Sequence, residues 1–71
     1  MPGLGESFLR AAHACFARIQ QDPDLYATDH GRVHRARLHR FPYSVFYLIR
    51  ADRIDVLSVY HSRRKPRRFD L

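Results

Sequence analysis

Arg40-Phe41-Pro42-Tyr43-Ser44-Val45-Phe46-Tyr47-Leu48-Ile49-Arg50 is followed by Ala51-Asp52-Arg53 and then by Ile54-Asp55-Val56-Leu57-Ser58-Val59-Tyr60-His61. The stretch ends in Ser62-Arg63-Arg64-Lys65-Pro66-Arg67-Arg68-Phe69, where five of eight residues are cationic. Two runs rich in β-branched and aromatic residues, split by Ala51-Asp52, predict a β-hairpin that delivers a basic tip. Tyr43 to Arg50 is apolar at both parities: Tyr43, Val45, Tyr47 and Ile49 share one side, Phe46 and Leu48 the other. Such a strand is buried on two faces and belongs in the middle of a sheet. In the next run, Arg53 to His61, strict alternation places Ile54, Val56 and Tyr60 on one face and Leu57 and Val59 on the second.

Outward from the hairpin, Val33 to Arg40 reads as a third strand. Ala36 and Leu38 share a face with His34, while Arg35, Arg37 and His39 line a basic outer face. Phe41-Pro42-Tyr43 turns the chain, and the proline suits a strand entrance rather than a strand interior. Short turns join the three strands into an antiparallel meander.

Glu6 to Gln21 is the one helical pattern. Phe8, Leu9, Ala12, Cys15, Phe16 and Ile19 fall within an arc of about 120° at helical spacing. Ser7 or Gly5 is the expected cap, and Asp22-Pro23 ends the helix because a residue before proline is driven out of the α region. Met1-Pro2-Gly3-Leu4-Gly5 reads as a turn, and Asp22 to Arg32 as a connector with Leu25 and Tyr26 packing back. The fold class is therefore α+β: one amphipathic helix on a three-stranded antiparallel meander. A sheet apolar on both faces asks for two covering layers, and one helix supplies only one. The expectation is an uncovered sheet face used for self-association or for a dedicated partner.

The chain has 71 residues, which makes a single domain, residues 1–71, with a basic tail at residues 62–71. A domain this short buries only about 60% of its unfolded surface. Thirteen Lys and Arg against seven Asp and Glu leave a net charge of +6, and the isoelectric point is about 10.5. That balance suits nucleic acid or an acidic protein surface. Cys15 is the sole cysteine, so no internal disulfide forms and its place in the helical stripe makes it a core residue. Without a signal peptide or a long apolar run, the chain is expected to be cytoplasmic and not to engage a membrane.

The sequence holds no nucleophile motif, Gly-rich phosphate loop or paired carboxylates. His30, His34 and His39 have metal-like spacing, but His34 and His39 point to opposite faces of a strand, so no metal and no cofactor is expected. What remains is a basic surface. Arg35, Arg37, His39 and Arg40 lie on one strand and Arg63, Arg64, Lys65, Arg67 and Arg68 after another, interleaved with Tyr60, His61 and Phe69. The set suits a phosphate backbone, with aromatics for base stacking and His61 for proton transfer. It equally suits docking onto an acidic protein, or simple solubility.

With these residues in view, the chain resembles the RelE/ParE superfamily of toxins from type II toxin-antitoxin systems, most closely the ParE-like, plasmid-stabilisation branch. The resemblance rests on Arg40-Phe41-Pro42-Tyr43 with Val45-Phe46-Tyr47, on Ile54 to Val59, and on His61 with Arg63-Arg64 and Pro66. Gly3-Leu4-Gly5 before Phe8 is similar to the family's link between two helices. Family members begin with a strand and a helix upstream of that link, so the resemblance implies either a misassigned start or a chain shortened at its N-terminus, lacking the first strand and helix. Lys65 stands where the family often has aspartate, and Phe69 where it often has tryptophan.

The resemblance implies a growth-inhibiting toxin neutralised by an acidic, partly disordered antitoxin. ParE-like members block DNA gyrase; RelE-like members cut mRNA on the ribosome. Carried onto this sequence, His61 and Arg63 become the candidate catalytic pair. Arg35, Arg37, Arg40, Arg63, Arg64, Lys65, Arg67 and Arg68 become the contacts to target or phosphate. A single lysine, in the tail, disfavours the lysine-dependent form of mRNA cleavage, and gyrase inhibition is the preferred expectation. An inert shortened toxin, or a basic nucleic-acid-binding module, is the third.

Overall fold

The computed structural model describes residues 3–63. Helix α1 (Leu4–Gln21) is followed by a short 3-10 turn at Pro23–Leu25 and four strands: β1 (Thr28–His30), β2 (Val33–Arg37), β3 (Tyr43–Ile49) and β4 (Ile54–His61). The sheet is antiparallel throughout, in the order β1-β2-β3-β4. The α+β class and the meander stand, with one strand added. No helix among the described residues is long and apolar enough to cross a membrane.

The added strand lies in the segment expected to be a connector. Thr28, Asp29 and His30 are polar and too few to show a period, so nothing local marks them as a strand. Pairing is imposed from outside: Gly31, with φ 55, reverses the chain onto β2, and Arg35 N–H donates to Ala27 O at 3.1 Å. The helix also starts earlier than expected. Its cap is Gly3, in the left-handed region at φ 85, rather than Ser7 or Gly5, and Ser7 N–H closes the first turn onto Gly3 O.

Strand β3 is the central element. On its helix side Val45 and Tyr47 pack with Ala12, Cys15 and Ile19 of α1 and with Ala36 and Leu38, with Phe8, Phe16, Tyr26, Phe41 and Tyr43 around them. On the other side Phe46 and Leu48 are buried with Val33, and Leu57 and Tyr60 pack against them. The Arg35 guanidinium lies 5.7 Å from the centre of the Phe46 ring. The double-sided burial read from β3 is therefore real. However, the second face is not the uncovered one: Val33, Phe46 and Leu48 are all buried.

The exposed apolar residues lie elsewhere. Leu9, assigned by its helical spacing to the core stripe, is 56% exposed, and Leu25 is 68% exposed instead of packing back. Val56 and Val59 of β4 are 48% and 38% exposed. They sit on the helix side of the sheet, where α1 covers β2 and β3 more fully than β4.

A β-bulge explains why Val59 is there. Tyr47 pairs with Val56 but Phe46 pairs with Ser58, so Leu57 is the extra residue. One inserted residue reverses the alternation beyond it. Val59 and His61 thus join Ile54 and Val56 on the helix side, opposite Val45 and Tyr43, while Tyr60 joins Leu57 on the second face. Strict alternation had exchanged Val59 and Tyr60.

Cys15 is buried, and its thiol faces the carbonyl oxygens of Ala36 and Arg37 at 3.9 and 3.8 Å. Burial pushes the thiol pKa up, partly offset by the neighbouring Arg18 guanidinium. It is a core residue with no exposed thiolate. At the far end of the hairpin, Arg50 and Arg53 donate to Asp55 at 2.9 and 2.8 Å and hold its carboxyl below the usual range.

Candidate functional site

In an antiparallel meander, the end of one strand, the start of the next and the end of the third lie together. Here that end of the sheet gathers the Arg37 end of β2, the loop of residues 38–42, the start of β3 and the His61 end of β4. Arg37 pairs with Ser44 and Tyr43 with His61. Leu38 N–H donates to Tyr43 O at 2.9 Å and Ser62 N–H to Pro42 O at 2.6 Å, locking the loop to both neighbouring strands. Four expected site residues, Arg37, Arg40, His61 and Arg63, are thereby carried to one end of the molecule from positions up to 26 apart in sequence.

The loop is held in an unusual conformation. Arg40 has φ 71, the left-handed region, where a β-carbon is crowded against its own backbone. Tyr43 N–H donates to Phe41 O at 2.8 Å, tightening the turn around Pro42. Arg37, Leu38, His39, Arg40, Phe41 and Pro42 line an open recess whose charged rim is entirely basic. Arg40→Gly is expected to stabilise the fold by about 0.5–1 kcal/mol while removing the cation, because glycine adopts this φ without penalty. Thermal unfolding followed by circular dichroism checks it, and a lowered midpoint contradicts it.

An aromatic cluster adjoins the basic loop. Phe8 meets Phe41 and Tyr43 edge to face, with centroids 5.3 and 5.2 Å apart. Tyr43 in turn meets the His61 ring at 5.1 Å. Leu4, Gly5, Phe8, Phe41 and Tyr43 line an apolar recess beside the basic one, and Tyr43, Val59, Tyr60 and His61 line a third. The described residues lining these three recesses include no carboxylate. Leu4, Phe8 and Phe41 lie outside the residues that charge and strand pattern mark for the site; the spacing of Leu4 and Phe8, one helical turn apart after Gly3, is the signal the sequence offers for them.

His61 has a defined orientation. Its Nδ1 accepts the Arg63 backbone N–H at 3.1 Å, so the ring proton resides on Nε2 in the neutral form. Arg63 is exposed at the end of the described chain. Arg35 is placed differently. Its Nε donates to Ser44 Oγ at 3.3 Å, its guanidinium lies 4.0 Å from Asp29, and it covers Phe46, so its charge serves the sheet surface two residues back from the loop. Arg64, Lys65, Arg67 and Arg68 lie outside the described residues. His34, read as a polar histidine, is structural: it stacks on Tyr47 at 5.1 Å and its Nδ1–H donates to Tyr26 O at 2.6 Å.

The arrangement is a mixed surface: cations on a rigid loop, one oriented imidazole, and aromatic faces between them. Arg and Tyr are the residue types that most often anchor protein interfaces, and the same cations suit phosphate. No curated protein and no solved structure matches the chain. The family model described as the ParE toxin of the type II toxin-antitoxin system, parDE, matches residues 2–66. The match spans nearly the whole chain and includes every described element of the fold; the chain belongs to the ParE toxin family of type II toxin-antitoxin systems, and that family implies a cognate antitoxin as its partner.

Proposed function

We propose that the chain inhibits growth by binding a protein target, DNA gyrase, in the cytoplasm, and that an acidic antitoxin neutralises it by covering the same surface. The observation that carries this reading is the contiguity of the basic recess of Arg37, His39 and Arg40 with the apolar recess of Leu4, Phe8, Phe41 and Tyr43. A protein partner with carboxylates beside a large apolar side chain engages both at once. An antitoxin segment of that composition competes for the same contacts, which supports neutralisation by occlusion. In a purified assay, the chain should inhibit supercoiling and accumulate cleaved DNA–gyrase complexes, and added antitoxin should reverse both. Unimpaired supercoiling at saturating toxin would refute gyrase as the target.

One observation favours a second reading, ribosome-dependent mRNA cleavage. The Arg63 N–H fixes the His61 ring so that Nε2–H is the proton available to a leaving oxygen, with the Arg63 side chain free to meet phosphate charge. On that reading, His61→Ala and Arg63→Ala each abolish cleavage of ribosome-bound message. Unchanged cleavage in both variants removes the assignment.

A further inference from the structure

We infer that Arg18 is a positioning residue for the basic loop: by clamping the Arg37–Leu38 peptide from the helix side, it holds Arg40 in the conformation in which the loop meets its target. The inference rests on the function proposed above and names the residue of α1 that serves it.

The loop of residues 38–42 is anchored through the two peptide groups at its ends. A trans peptide is planar and directs its N–H and C=O to opposite sides, so bonding both fixes the orientation of the whole unit. At the first end, Leu38 N–H donates to Tyr43 O at 2.9 Å. The carbonyl of the same peptide, Arg37 O, accepts from the Arg18 guanidinium at 3.0 Å. At the second end, Tyr43 N–H donates to Phe41 O at 2.8 Å, and the carbonyl of that peptide, Pro42 O, accepts from Ser62 N–H at 2.6 Å. Three of these four partners are backbone groups. The fourth, Arg18, is a side chain, and so the one that a substitution can take away.

The place that Arg18 fills is one that β1 does not reach. Arg35 turns its N–H toward β1, where Ala27 O receives it, and two residues on Arg37 turns the same way. The register with β1 covers Val33 and His34, short of Arg37. The last turn of α1 takes over there. Cys15 and Arg18, three residues apart, share the helix face toward β2. The buried thiol stands 3.8 Å from Arg37 O, and the half-buried Arg18 makes the closer, charge-assisted bond.

What the clamp holds is a strained conformation. Arg40 has φ 71, which a residue with a β-carbon keeps only when its surroundings over-determine it. Release of the Arg37–Leu38 peptide removes one of the four constraints. The loop then relaxes and carries the exposed Arg37 and Arg40 side chains out of place.

The test pairs amide hydrogen exchange in the free chain with inhibition of gyrase supercoiling. Arg18→Met keeps the aliphatic stem and removes the donors. It should speed exchange of the Leu38 and Tyr43 amides about tenfold, and leave those of Val45 and Tyr47 in the middle of β3 within about twofold of the wild type. It should also raise the concentration for half-inhibition about fivefold, but no more than about twofold beside Arg40→Ala, because a positioning residue loses its effect with the group it positions. Arg18→Lys, a cationic donor of shorter reach, should fall between the wild type and Arg18→Met in both measurements, and carries the test if Arg18→Met does not fold. A uniform rise in exchange across β3 reduces Arg18 to general stability, an unchanged Leu38 amide removes the clamp, and an equal loss of inhibition with and without Arg40→Ala makes Arg18 a direct contact. Each of these overturns the proposal. A wild-type chain that leaves supercoiling untouched refutes gyrase alone; the exchange pattern, with growth arrest on expression as the second measurement, then decides on the clamp.

Discussion

Tyr47→Ala is expected to lower the unfolding midpoint by roughly 15–35 °C, close to complete loss of the fold at growth temperature. Tyr47 is fully buried in the middle of β3, stacked on His34 at 5.1 Å, and its hydroxyl donates to Pro23 O at 2.7 Å. That one side chain ties three parts of the chain together: the sheet, the helix packed on it, and the 3-10 turn that brings the chain back from the helix. Truncating a buried aromatic costs about 3–5 kcal/mol, whereas a domain of this size has about 4–11 kcal/mol in total. Chemical denaturation checks the figure, and a loss below about 1 kcal/mol contradicts this account of the core.

Tyr47→Phe isolates the hydroxyl. It should cost about 1 kcal/mol near neutral pH, the ordinary worth of a hydrogen bond. Its pH dependence should differ more. Burial, and after it the nearby Tyr26, Cys15, Asp24 and Asp22, push the Tyr47 phenol up to about 12 from its ordinary 10.0. The folded state thus holds the phenol neutral where the unfolded chain would ionise it. That stability is fully present below pH 10 and is lost as pH rises towards 12, so the wild type should show a steeper alkaline decline than Tyr47→Phe.

The second large effect falls on function. Arg40→Ala combined with Arg63→Ala is expected to relieve growth arrest on expression, each truncation weakening target engagement about tenfold and the pair about a hundredfold. Both cations are exposed at the same end of the sheet, and alanine keeps the β-carbon of Arg40, so the strain of its left-handed backbone is unchanged by the truncation. The two should add, as independent contacts do. Arg35→Ala is the informative control. Its charge is held by Ser44 and Asp29 over Phe46, so its loss should appear as lower stability rather than lower toxicity. If Arg35→Ala relieves arrest in a chain of unchanged stability, the assignment of the working surface to the loop end fails.

Much of this architecture is legible without coordinates, for identifiable reasons. A strand apolar at both parities has few places to go, so Tyr43 to Ile49 is read as central at sight. Once three strands form a meander, residues 37–43 and 61–63 must share one end, and the basic site follows from connectivity alone. What escaped the sequence depends on single residues whose local signals are weak. Thr28–His30 pairs because Gly31 turns it onto β2, not because three polar residues favour extension. Leu9 has the right period for the core, but α1 is narrower in contact than its apolar arc, so Leu9 faces outward.

Periodicity and composition are local and additive, and they suffice for the class, the amphipathic helix, the doubly buried strand and the basic character of the loop end. The face that each part of β4 presents is set by its pairing with β3, since a bulge at Leu57 reverses alternation without any mark in the residue pattern. The same holds for the left-handed Arg40, which nothing in an arginine foretells, and for the meeting of Phe8, Tyr43 and His61. Those features arise from closing loops against strands already in place, a constraint that acts between distant residues and is therefore absent from any single stretch of chain.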